Sequence, residues 1–434
     1  MEGIEASVIS HPRTWEASGH IESFRDIHVR CKRCGEENKI DKNEIGKVKC
    51  RCGGDYEILE SHQLMFSTNV GSFVSKKEDD STAFLRPETA QAMFMDFKLV
   101  METVRQKLPF GIAQIGKCFR NEIAPRDFLF RSREFHIGEF EFFINPKEKK
   151  CGILNKKHLN VKLNLLDAET QEKNKEELKE ITIRKMLKEK RLGEWHAYWL
   201  AEQIMWFKQL GLYMNKIKIR EHTKNELSHY SSATFDVDYL YPFGSKEIAG
   251  NADRGQFDLT QHEKESKQKM AIFDEKTKEK IISKVIEPTF GMERVFLATI
   301  VDSYTYDKKR GNVVLKFPSK LAPYKVAVFP IINKPKFLKL ARKIFDDLRL
   351  DFHCAYDTRG SIGRRYARND EIGTPYCITI DGDSLKKNDV TIRDRDTTKQ
   401  IRVKISELKH VLKKLIDKEI EFEKAGKLIS TRVK

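Results

Sequence analysis

The 434-residue sequence predicts an α+β protein with two successive domains, and three observations support this fold class. Residues 61–310 alternate apolar strand patterns with amphipathic helices, which favours a sheet covered by helices. Residues 31–60 carry four clustered cysteines and form a small module of their own. Residues 313–425 alternate strands and helices over about 100 residues, a common size for one compact α/β domain. The expected domains are therefore 1–310 and 313–425, with 426–434 as a tail.

The first domain is expected to begin with a strand that ends at Pro12, followed by a loop with the sequence WEASGHIESF. Further along, residues 155–192 are rich in lysine and glutamate at the spacing of helical ion pairs. This composition predicts a helical insert, at about residues 150–225, outside the core of the domain.

In the second domain, residues 324–332 have the continuous apolar pattern of a buried strand. The sequence KPKFLKLARKIFDDLRL that follows has the pattern of an amphipathic helix. Residues 374–380 and the sequence DVTIRDRD predict two further strands, and KQIRVKISELKHVLKKLI predicts a strand and a helix.

The composition is strongly basic, with 81 Lys and Arg against 65 Asp and Glu and a formal net charge of +16. Such a surplus favours a polyanionic partner such as nucleic acid, because each neutralised phosphate releases counterions. The alternative is the lysine-rich composition of proteins from a thermophile, which also fits a chain with 34% charged residues. Charge alone leaves both interpretations open.

The sequence carries no sign of a membrane or secreted protein. No stretch reaches the ~18 apolar residues of a membrane span, and the N-terminus lacks the basic flank and apolar run of a secretory signal. Eight cysteines in a chain of this length, four of them within residues 31–52, are not typical of a disulfide framework. We therefore expect a cytoplasmic protein of a reducing compartment, with no membrane partner.

The clustered cysteines are Cys31 and Cys34 in CKRC, and Cys50 and Cys52 in CRC. Two cysteine pairs with a short spacer are typical of a tetrahedral four-thiolate zinc site, which can hold together a module that lacks its own core. The glycines after the last cysteine supply the tight backbone turn that such sites use. The second pair is C-x-C rather than C-x2-C, so the alternative is a degenerate ribbon with free thiols.

The stretch CFRNEIAPRDFLFRSREFHIGEFEFF, residues 118–143, combines four arginines, four glutamates and seven phenylalanines. It predicts a strand, a polar loop and a second strand, whose alternation places Phe135, Ile137 and Glu139 on one face. Arginine binds phosphate oxygens through a bidentate fork, and a phenylalanine ring can stack on a base. The pattern predicts the wall of a nucleoside triphosphate site. The alternative is a surface hairpin with Arg–Glu pairs, which would not need the phenylalanines.

This stretch resembles motif 2 of the class II aminoacyl-tRNA synthetases through FRNE and REF. EPTFGMERVFLATI, residues 287–300, resembles their motif 3, and GIEASVISHP resembles the strand half of their motif 1. Five further stretches narrow the resemblance to glycyl-tRNA synthetases of the archaeal and eukaryotic type: PRTWEASGHIESF, LRPETAQAMF, REFHIGEFEFF, EIAGNADRGQFDLTQH and SIGRRYARNDEIGTPYCITIDGDSL. The ordered set covers nearly the whole chain and is weakest at residues 155–192.

The resemblance implies a class II fold, in which residues 1–310 form an antiparallel-sheet catalytic domain. The zinc-ribbon-like module and the helical insert belong to this domain, and residues 313–425 form an α/β anticodon-binding domain. The implied activity is that of a ligase with ATP and Mg²⁺. It converts glycine to glycyl-adenylate and pyrophosphate, then transfers the glycyl group to the 3′ end of tRNA(Gly).

The resemblance also assigns residues to ATP. Arg120 would stabilise charge on the α-phosphate in the transition state and Arg294 would close the other side, so these two are the expected catalytic residues. Phe135 would lie under the adenine. The expected ATP-binding residues are Arg120, Asn121, Glu122, Phe130, Arg131, Arg133, Phe135, Glu247, Ile248, Gly291 and Arg294.

The implied glycine pocket is acidic, with Glu88, Glu139 and Glu287 around the ammonium group. Carboxylates are natural partners of an ammonium, and glycine has no side chain to hold. Rejection of alanine would then be steric. A serine of the family pattern is Thr289 here, whose methyl group could tighten the pocket or be absorbed. His20 could be proposed as a base, but a structural role is expected for it.

The anticodon-binding domain is expected to contact RNA through its basic stretch RGSIGRRYARND, residues 359–370. Arg364, Arg365 and Arg368 are the expected ligands of phosphates or bases. The alternative is a loop of solvated charges.

Two departures from the family pattern bear on partners and substrate. The helix half of motif 1, which builds the dimer interface of class II enzymes, is absent. A homodimer is expected, and a separate N-terminal polypeptide could supply the missing piece. CKRCGEENKIDK replaces the family's RAD stretch, so Lys39 stands where an arginine is expected.

Two other functions compete with a glycine ligase. One is a catalytically silent, synthetase-like RNA-binding subunit, which would lose the arginines of the ATP site. The other is a class IIa synthetase for threonine, proline or histidine, for which three glutamates would make a poor pocket. The retained arginines and the three glutamates argue against both.

Overall fold

The computed structural model describes residues 1–40, 46, 48–71, 81–123, 125–227 and 231–429. The chain divides into two compact units, Met1–Trp206 with Met214–Leu297, and Phe207–Tyr213 with Ala298–Lys434.

The first unit contains seventeen strands among the described residues. They are β1 Glu2–Gly3, β2 Ile9–Ser10, β3 Arg25–Cys31, β4 Glu37–Ile40, β5 Tyr56–Gln63, β6 Ser67–Asn69, β7 Thr82–Leu85, β8 Phe110–Phe119, β9 Glu134–Ile144, β10 Lys162–Leu166, β11 Lys179–Thr182, β12 Ile217–Glu221, β13 Ala233–Tyr241, β14 Gly244–Gly255, β15 Ile272–Asp274, β16 Glu279–Ile281 and β17 Lys284–Gly291.

Helices α1–α10 begin in the first unit, and α8 and α10 end in segments of the second. They are α1 Pro12–Ala17, α2 His20–Ser23, α3 Ala90–Met95, α4 Phe97–Thr103, α5 Lys156–Leu159, α6 Ala168–Glu172, α7 Ile183–Lys188, α8 Glu194–Gln209, α9 Phe257–Ser266 and α10 Met292–Ser303.

The central sheet of the first unit has nine strands in the order β1-β8-β9-β17-β14-β13-β12-β10-β11. Its neighbours are antiparallel apart from the pairs β1–β8 and β10–β12, so the predicted antiparallel-sheet domain is confirmed. Because side chains alternate along a strand, Phe143 packs with α3, α4 and α9 on one face, whereas Phe142 packs with Trp195 of α8 on the other. Phe135 and Glu139 share the face of Phe143.

Three smaller sheets complete the first unit, in the orders β2-β7-β6, β4-β3-β5 and β15-β16. The β4-β3-β5 sheet carries the cysteine module, and its core consists of Ile27, Val29 and Ile40 with Tyr56 packed against them. A core this small favours an additional cross-link. Lys39 lies in β4 opposite His28, but its side chain lies outside the described residues.

The predicted helical insert is helical only in part. Helices α5 to α8 are present, but β10, β11 and β12 add three strands to the edge of the central sheet. The lysine and glutamate pairing has two origins. Lys173 pairs with Glu169 along α6 at 2.6 Å, whereas Lys162 pairs with Glu180 across β10 and β11 at 2.8 Å. Opposite charges across strands mimic the helical spacing in the sequence.

The predicted loop after Pro12 is wrong, because that segment forms α1 and α2. Pro12 occupies the first turn of α1, where its missing N–H costs no hydrogen bond, and the side chain of His11 caps the helix by accepting from the Arg13 N–H. Trp15 anchors α1 in the interior and is 1% exposed. The predicted strand before Pro12 is two short strands, β1 and β2.

The second unit holds the remaining strands and helices. They are β18 Tyr304–Asp307, β19 Asn312–Leu315, β20 Val326–Pro330, β21 Cys354–Tyr356, β22 Tyr376–Ile380, β23 Asp389–Asp394, β24 Gln400–Lys404, β25 Lys427–Ile429, α11 Pro335–Leu348, α12 Ile362–Glu371, α13 Gly382–Lys387 and α14 Leu408–Ile416.

The sheet of the second unit is mixed and has the order β21-β20-β22-β23-β24-β25. Its core packs α11 and α14 against apolar residues of β20, β22, β23 and β24. The strands and helices predicted at residues 324–332, 374–380 and after them are confirmed. The predicted tail, residues 426–434, is wrong at its start, because Lys427–Ile429 form β25 and pair with β24. Residues 430–434 lie outside the described residues.

Among the described residues, no helix combines the length and apolar character needed to cross a membrane.

Candidate active site

A cavity of about 480 Å³ opens on the face of the central sheet that carries Phe135 and Glu139. Its floor consists of residues from β9, β12, β13, β14 and β17, and its rim includes the loop between β8 and β9. Twelve of the residues predicted for the site line it: Glu88, Arg120, Glu122, Phe130, Arg131, Phe135, Glu139, Glu247, Glu287, Thr289, Gly291 and Arg294.

Three predicted ATP ligands do not line the cavity. The Asn121 N–H donates to the Leu64 carbonyl at 2.7 Å. Arg133 is exposed, and its Nε donates to the Glu122 carbonyl at 3.0 Å. Ile248 is buried, with 1% of its surface exposed. Ile248 is the extra residue of a β-bulge, because Glu247 pairs with Asp238 and Ala249 with Val237, so the bulge interrupts the alternation of side chains on β14 at this residue.

Arg120 lies immediately after β8 and enters the cavity between two aromatic rings. Its guanidinium carbon lies 5.2 Å from the ring centre of Phe24 and 5.4 Å from that of Phe135. Its Nε donates to the Pro87 carbonyl at 3.3 Å. Within the described part of the chain no carboxylate pairs with Arg120, so the rings position its charge without neutralising it.

Arg294, near the start of α10, forms the opposite edge of the same end of the cavity. Its guanidinium lies 4.4 Å from the ring centre of Phe130, and its nitrogens donate to the Phe130 and Glu247 carbonyls at 3.3 and 3.0 Å. Arg294 also pairs with the Glu247 carboxylate at 3.5 Å, and Arg131 pairs with Glu122 at 2.7 Å. This end of the cavity therefore combines two fixed cations with aromatic rings.

The other end of the cavity is acidic, and hydrogen bonds hold each of its three glutamates. Glu139 Oε2 accepts from both the N–H and the hydroxyl of Thr89. Glu287 Oε1 accepts from Arg254 at 2.7 Å. Glu88 is held through both oxygens, because Oε1 accepts from Gln91 at 3.0 Å and Oε2 lies 3.2 Å from His20 Nε2. The second oxygens of Glu139 and Glu287 are left to bind a ligand, and the ligand favoured by three carboxylates is a cation.

His20 is buried behind Glu88 and does not line the cavity. Its Nε2 lies 3.2 Å from a Glu88 oxygen and its Nδ1 lies 2.8 Å from the Ser18 hydroxyl. These contacts fit the structural role predicted for His20, that of a partner that orients a carboxylate.

Burial and mutual repulsion set the charges of the acidic end. Burial raises the pKa of Glu287 to about 8; Arg254 opposes this shift, and Glu139 and Glu88 add to it. Burial and the charge of Glu88 also raise the pKa of Glu139. Burial acts in the same sense on Glu88, but His20 and Arg254 outweigh it and hold the pKa of Glu88 below its ordinary value. Without a ligand, Glu287 therefore binds a proton near neutral pH, which a bound cation would displace.

Thr289 lies on β17, between Glu139 of the acidic end on β9 and Gly250 on β14. Its hydroxyl accepts from the Gly250 N–H at 3.0 Å, which fixes the side chain. A Cβ on Gly250 would lie 2.9 Å from this hydroxyl oxygen, so the close approach requires glycine at this position.

The sequence analysis missed Arg254, which is buried on β14. Its guanidinium bonds Glu287 at 2.7 Å and Asp258 at 2.7 and 2.8 Å. The signal in the sequence was a charged pair, Asp253 and Arg254, within the small and apolar residues of a buried strand. Buried charges require partners, so such a pair indicates a site or an ion-pair network.

A second missed group comprises Arg220, His222 and Asp236, all of which line the cavity. Asp236 Oδ2 is 2.8 Å from His222 Nε2 and also accepts from Arg220. The alternation of IKIREH around β12 places Arg220 and His222 on one face, which was the available signal.

The four predicted zinc ligands lie together. The sulfurs of Cys31, Cys34, Cys50 and Cys52 all lie within 4.8 Å of one another, with Cys31–Cys52 at 3.5 Å and Cys34–Cys50 at 3.6 Å. Zinc–sulfur bonds of about 2.3 Å place tetrahedral ligands about 3.8 Å apart, so this set of donors fits a zinc ion. A Cβ on Gly54 would lie 2.6 Å from the Cys31 sulfur, so the turn after Cys52 leaves room only for glycine.

The predicted RNA-binding arginines of the second unit differ in accessibility. Arg365 is 3% exposed and donates to the carbonyls of Pro330, Thr358 and Gly360, so the prediction that it binds RNA is wrong. Three backbone carbonyls bind the two terminal nitrogens of its guanidinium in the interior. Arg364 is exposed, and Arg368 is exposed but paired with Asp357.

Comparison with known proteins agrees with this fold. Residues 325–415 match a family model described as an anticodon binding domain. The chain is 40% identical over 435 residues to a glycine–tRNA ligase from Malacoplasma penetrans, covering 94% of this chain and 84% of that protein. It is 38% identical over 437 residues to the enzyme of the same name from Acetivibrio thermocellus, with 94% and 84% coverage, and 36% identical over 414 residues to that from Borrelia hermsii, with 94% and 83%.

Among solved structures, a prolyl-tRNA synthetase from Cryptosporidium parvum shares the fold, with a TM-score of 0.54 and 16% sequence identity. The match covers 96% of this chain and 66% of that one. Such a likeness shows the fold alone. With identities of 36–40% over most of both chains, an anticodon binding domain and a class II neighbour, this chain belongs to the glycine–tRNA ligase family of class II aminoacyl-tRNA synthetases.

Proposed function

We propose that the cavity of the first unit activates glycine with ATP and then transfers the glycyl group to the 3′ end of tRNA(Gly). Family membership makes glycine and tRNA the substrates and makes the ligation ATP-dependent. The observation that carries the assignment to this cavity is its division into two ends. One end offers the cation Arg120 between aromatic rings, and the other offers three anchored carboxylates.

The acidic end fits the glycine ammonium. Glu139 and Glu287 each keep one oxygen for the ligand, and Glu88 adds a third carboxylate that His20 and Gln91 hold in place. Three carboxylates around one ammonium suit an amino acid that has no side chain to hold. Thr289 lies beside Glu139 in the strand pairing and narrows the space that a larger side chain would need.

The cationic end fits ATP. The adenine would lie between Phe135 and Arg294, and Arg120 would bind the α-phosphate, where charge increases as the glycine carboxylate attacks and pyrophosphate leaves. Mg²⁺ bound with ATP would offset the charge of the leaving pyrophosphate. Asn121, Glu122, Phe130, Arg131, Arg133, Glu247, Ile248 and Gly291 remain proposed nucleotide contacts, of which Asn121, Arg133 and Ile248 would have to act through their backbone or after a rearrangement.

The second unit is proposed to bind the anticodon arm of the tRNA. Arg364 and Arg368 are the exposed arginines of α12 that could reach phosphates or bases. A homodimer and a cytoplasmic location also remain proposals, which rest on the family resemblance.

We further propose that the four-cysteine cluster binds one structural zinc ion. Purified protein should then contain about one zinc per chain, because the sulfurs already have the spacing of a tetrahedral site. C34S and C50S should each lose the metal and lower the melting temperature. The matched control is C354S, which replaces a cysteine of the second unit and should keep the zinc. Elemental analysis and a thermal melt provide the measurements, and C34S protein with a full equivalent of zinc would contradict the proposal.

The experiment that tests the proposed function is amino-acid-dependent ATP–pyrophosphate exchange with this chain. Glycine should support exchange, whereas alanine, serine and threonine should each show a kcat/KM at least about 100-fold lower, because Thr289 would narrow the space that a side chain needs. Exchange with alanine within about tenfold of glycine would overturn the steric pocket. Folded protein that catalyses no exchange with glycine would overturn the assignment of activation to this cavity.

A further inference from the structure

The charged group of Arg220, His222 and Asp236 lines the cavity but has no part in the proposed binding of ATP or glycine. Its geometry is that of a fixed acceptor. Asp236 is 6% exposed, and its Oδ2 receives both the Arg220 and the His222 hydrogen bonds. Its other oxygen, Oδ1, makes no hydrogen bond to any residue that the structure describes. Arg220 and His222 thus hold one oxygen of the carboxylate and leave the other available to a ligand.

The position of that free oxygen is set by Gly250. A Cβ on Gly250 would lie 3.8 Å from Asp236 Oδ1 and 2.9 Å from Thr289 Oγ1, so both oxygens lie over the same glycine. Any side chain at residue 250 would separate them. The glycine therefore leaves an open passage between Asp236 and Thr289.

The strand pairing extends this arrangement across five neighbouring strands of the central sheet. Arg220 pairs with Asp236, Asp236 with Gly250, Gly250 with Thr289, and Thr289 with Glu139. One row of five strands thus connects the charged group on β12 and β13 with the acidic pocket on β9. Asp236 is two strands from Thr289, and neighbouring strands lie about 4.8 Å apart, so their backbones are about 10 Å apart. One small group placed between the two side chains could contact both of them.

The two chemical steps make different demands on such an acceptor. In activation the nucleophile is the glycine carboxylate, which has no proton to lose. In transfer the nucleophile is a ribose hydroxyl, which must lose its proton as it attacks. A carboxylate that accepts a proton in this cavity is thus useful only in the second step.

We propose that Asp236 is the proton acceptor for the terminal ribose hydroxyl of the tRNA, and that Arg220 and His222 are positioning residues that hold it. This inference rests on the proposed function of the cavity. The hydroxyl oxygen bonds to the glycyl carbonyl carbon while its proton passes to Asp236 Oδ1. The bond from that carbon to the phosphate oxygen breaks, and AMP leaves with the electron pair. Asp236 then returns the proton to solvent.

The test separates the two steps. D236N keeps the size and one oxygen of the side chain but removes the acceptor charge. Single-turnover transfer from enzyme-bound glycyl-adenylate to tRNA should fall at least about 100-fold, the usual contribution of a general base. Glycine-dependent ATP–pyrophosphate exchange should stay within about threefold, because activation requires no proton acceptor.

Three further variants sharpen the result. D238N is the matched control, since Asp238 is equally buried on β13, pairs with Lys218 at 3.2 Å and does not line the cavity; both steps should be unchanged. H222Q should slow transfer less than D236N, because Arg220 still holds the carboxylate. D236E keeps an acidic acceptor, so at equal thermal stability it should transfer faster than D236N.

Unchanged transfer by D236N would overturn the inference. Equal losses of transfer and exchange by D236N, with a normal melting temperature, would also overturn it, since Asp236 would then act in activation. If the wild-type chain failed to catalyse exchange with glycine, that result would contradict the proposed function rather than the role of Asp236, because exchange reports the activation step alone.

Discussion

Replacing Arg120 with alanine is expected to lower the kcat of glycine-dependent ATP–pyrophosphate exchange by about 10²–10³-fold, the usual effect of removing one preorganised donor to a developing charge. Arg120 has the required geometry. Phe24 and Phe135 flank its guanidinium at 5.2 and 5.4 Å, and the Pro87 carbonyl fixes its Nε. Since the wild-type arginine has no carboxylate partner among the described residues, its charge is available to the α-phosphate.

The matched control for this variant is R126A. Arg126 lies in the same loop, is exposed and does not line the cavity. R126A should exchange at close to the wild-type rate, and both variants should melt at close to the wild-type temperature. If R120A kept more than about a tenth of the wild-type kcat, Arg120 would not be the residue that stabilises the transition state.

Replacing Glu139 with glutamine is expected to lower kcat/KM for glycine by at least about 100-fold while leaving the KM for ATP within about threefold. Glutamine can still accept from Thr89, so the shape of the pocket persists, but a buried ammonium loses a charged partner, which costs about 2–5 kcal/mol. The control is E134Q, since Glu134 begins the same strand but is exposed and paired with Lys117. Equal losses for glycine and ATP would show that Glu139 supports the fold rather than glycine.

The same pocket predicts how glycine use depends on pH. Burial raises the pKa of Glu287 to about 8, so below that pH the empty pocket holds a proton that the ammonium must displace. The wild-type kcat/KM for glycine should therefore rise between about pH 6.5 and about pH 8 and then level off, until the ammonium of glycine itself begins to deprotonate. A profile that falls over this interval would contradict the charge assignment of the acidic end.

The hairpin at residues 118–143 shows how much of the site was accessible from sequence. Its two strands, its aromatic face and the roles of Arg120, Phe135 and Glu139 were predicted from alternation and motif resemblance. The structure brings these residues together in one cavity. Local periodicity suffices here because both strands are neighbours in sequence and pair with each other.

Other predictions failed where the environment of a residue decides its role. Arg365 follows Arg364 in a basic run, yet three carbonyls bind it in the interior because its side of α12 packs against the sheet of the second unit. The segment around Lys162 was taken for a helix, yet its charges pair across two strands. Neither burial nor strand pairing between segments distant in sequence can be read from local spacing.

The sequence by itself determined the fold class, the two parts of the chain, the cysteine cluster and the ordered motifs that identify the family. These features depend on residue types and short spacings. Only the tertiary structure decided that Arg220, Asp236, Gly250, Thr289 and Glu139 form one row, because that row joins five strands between residues 134 and 291 through their register. A one-residue change in any of these registers would turn the side chains to the opposite face of the sheet.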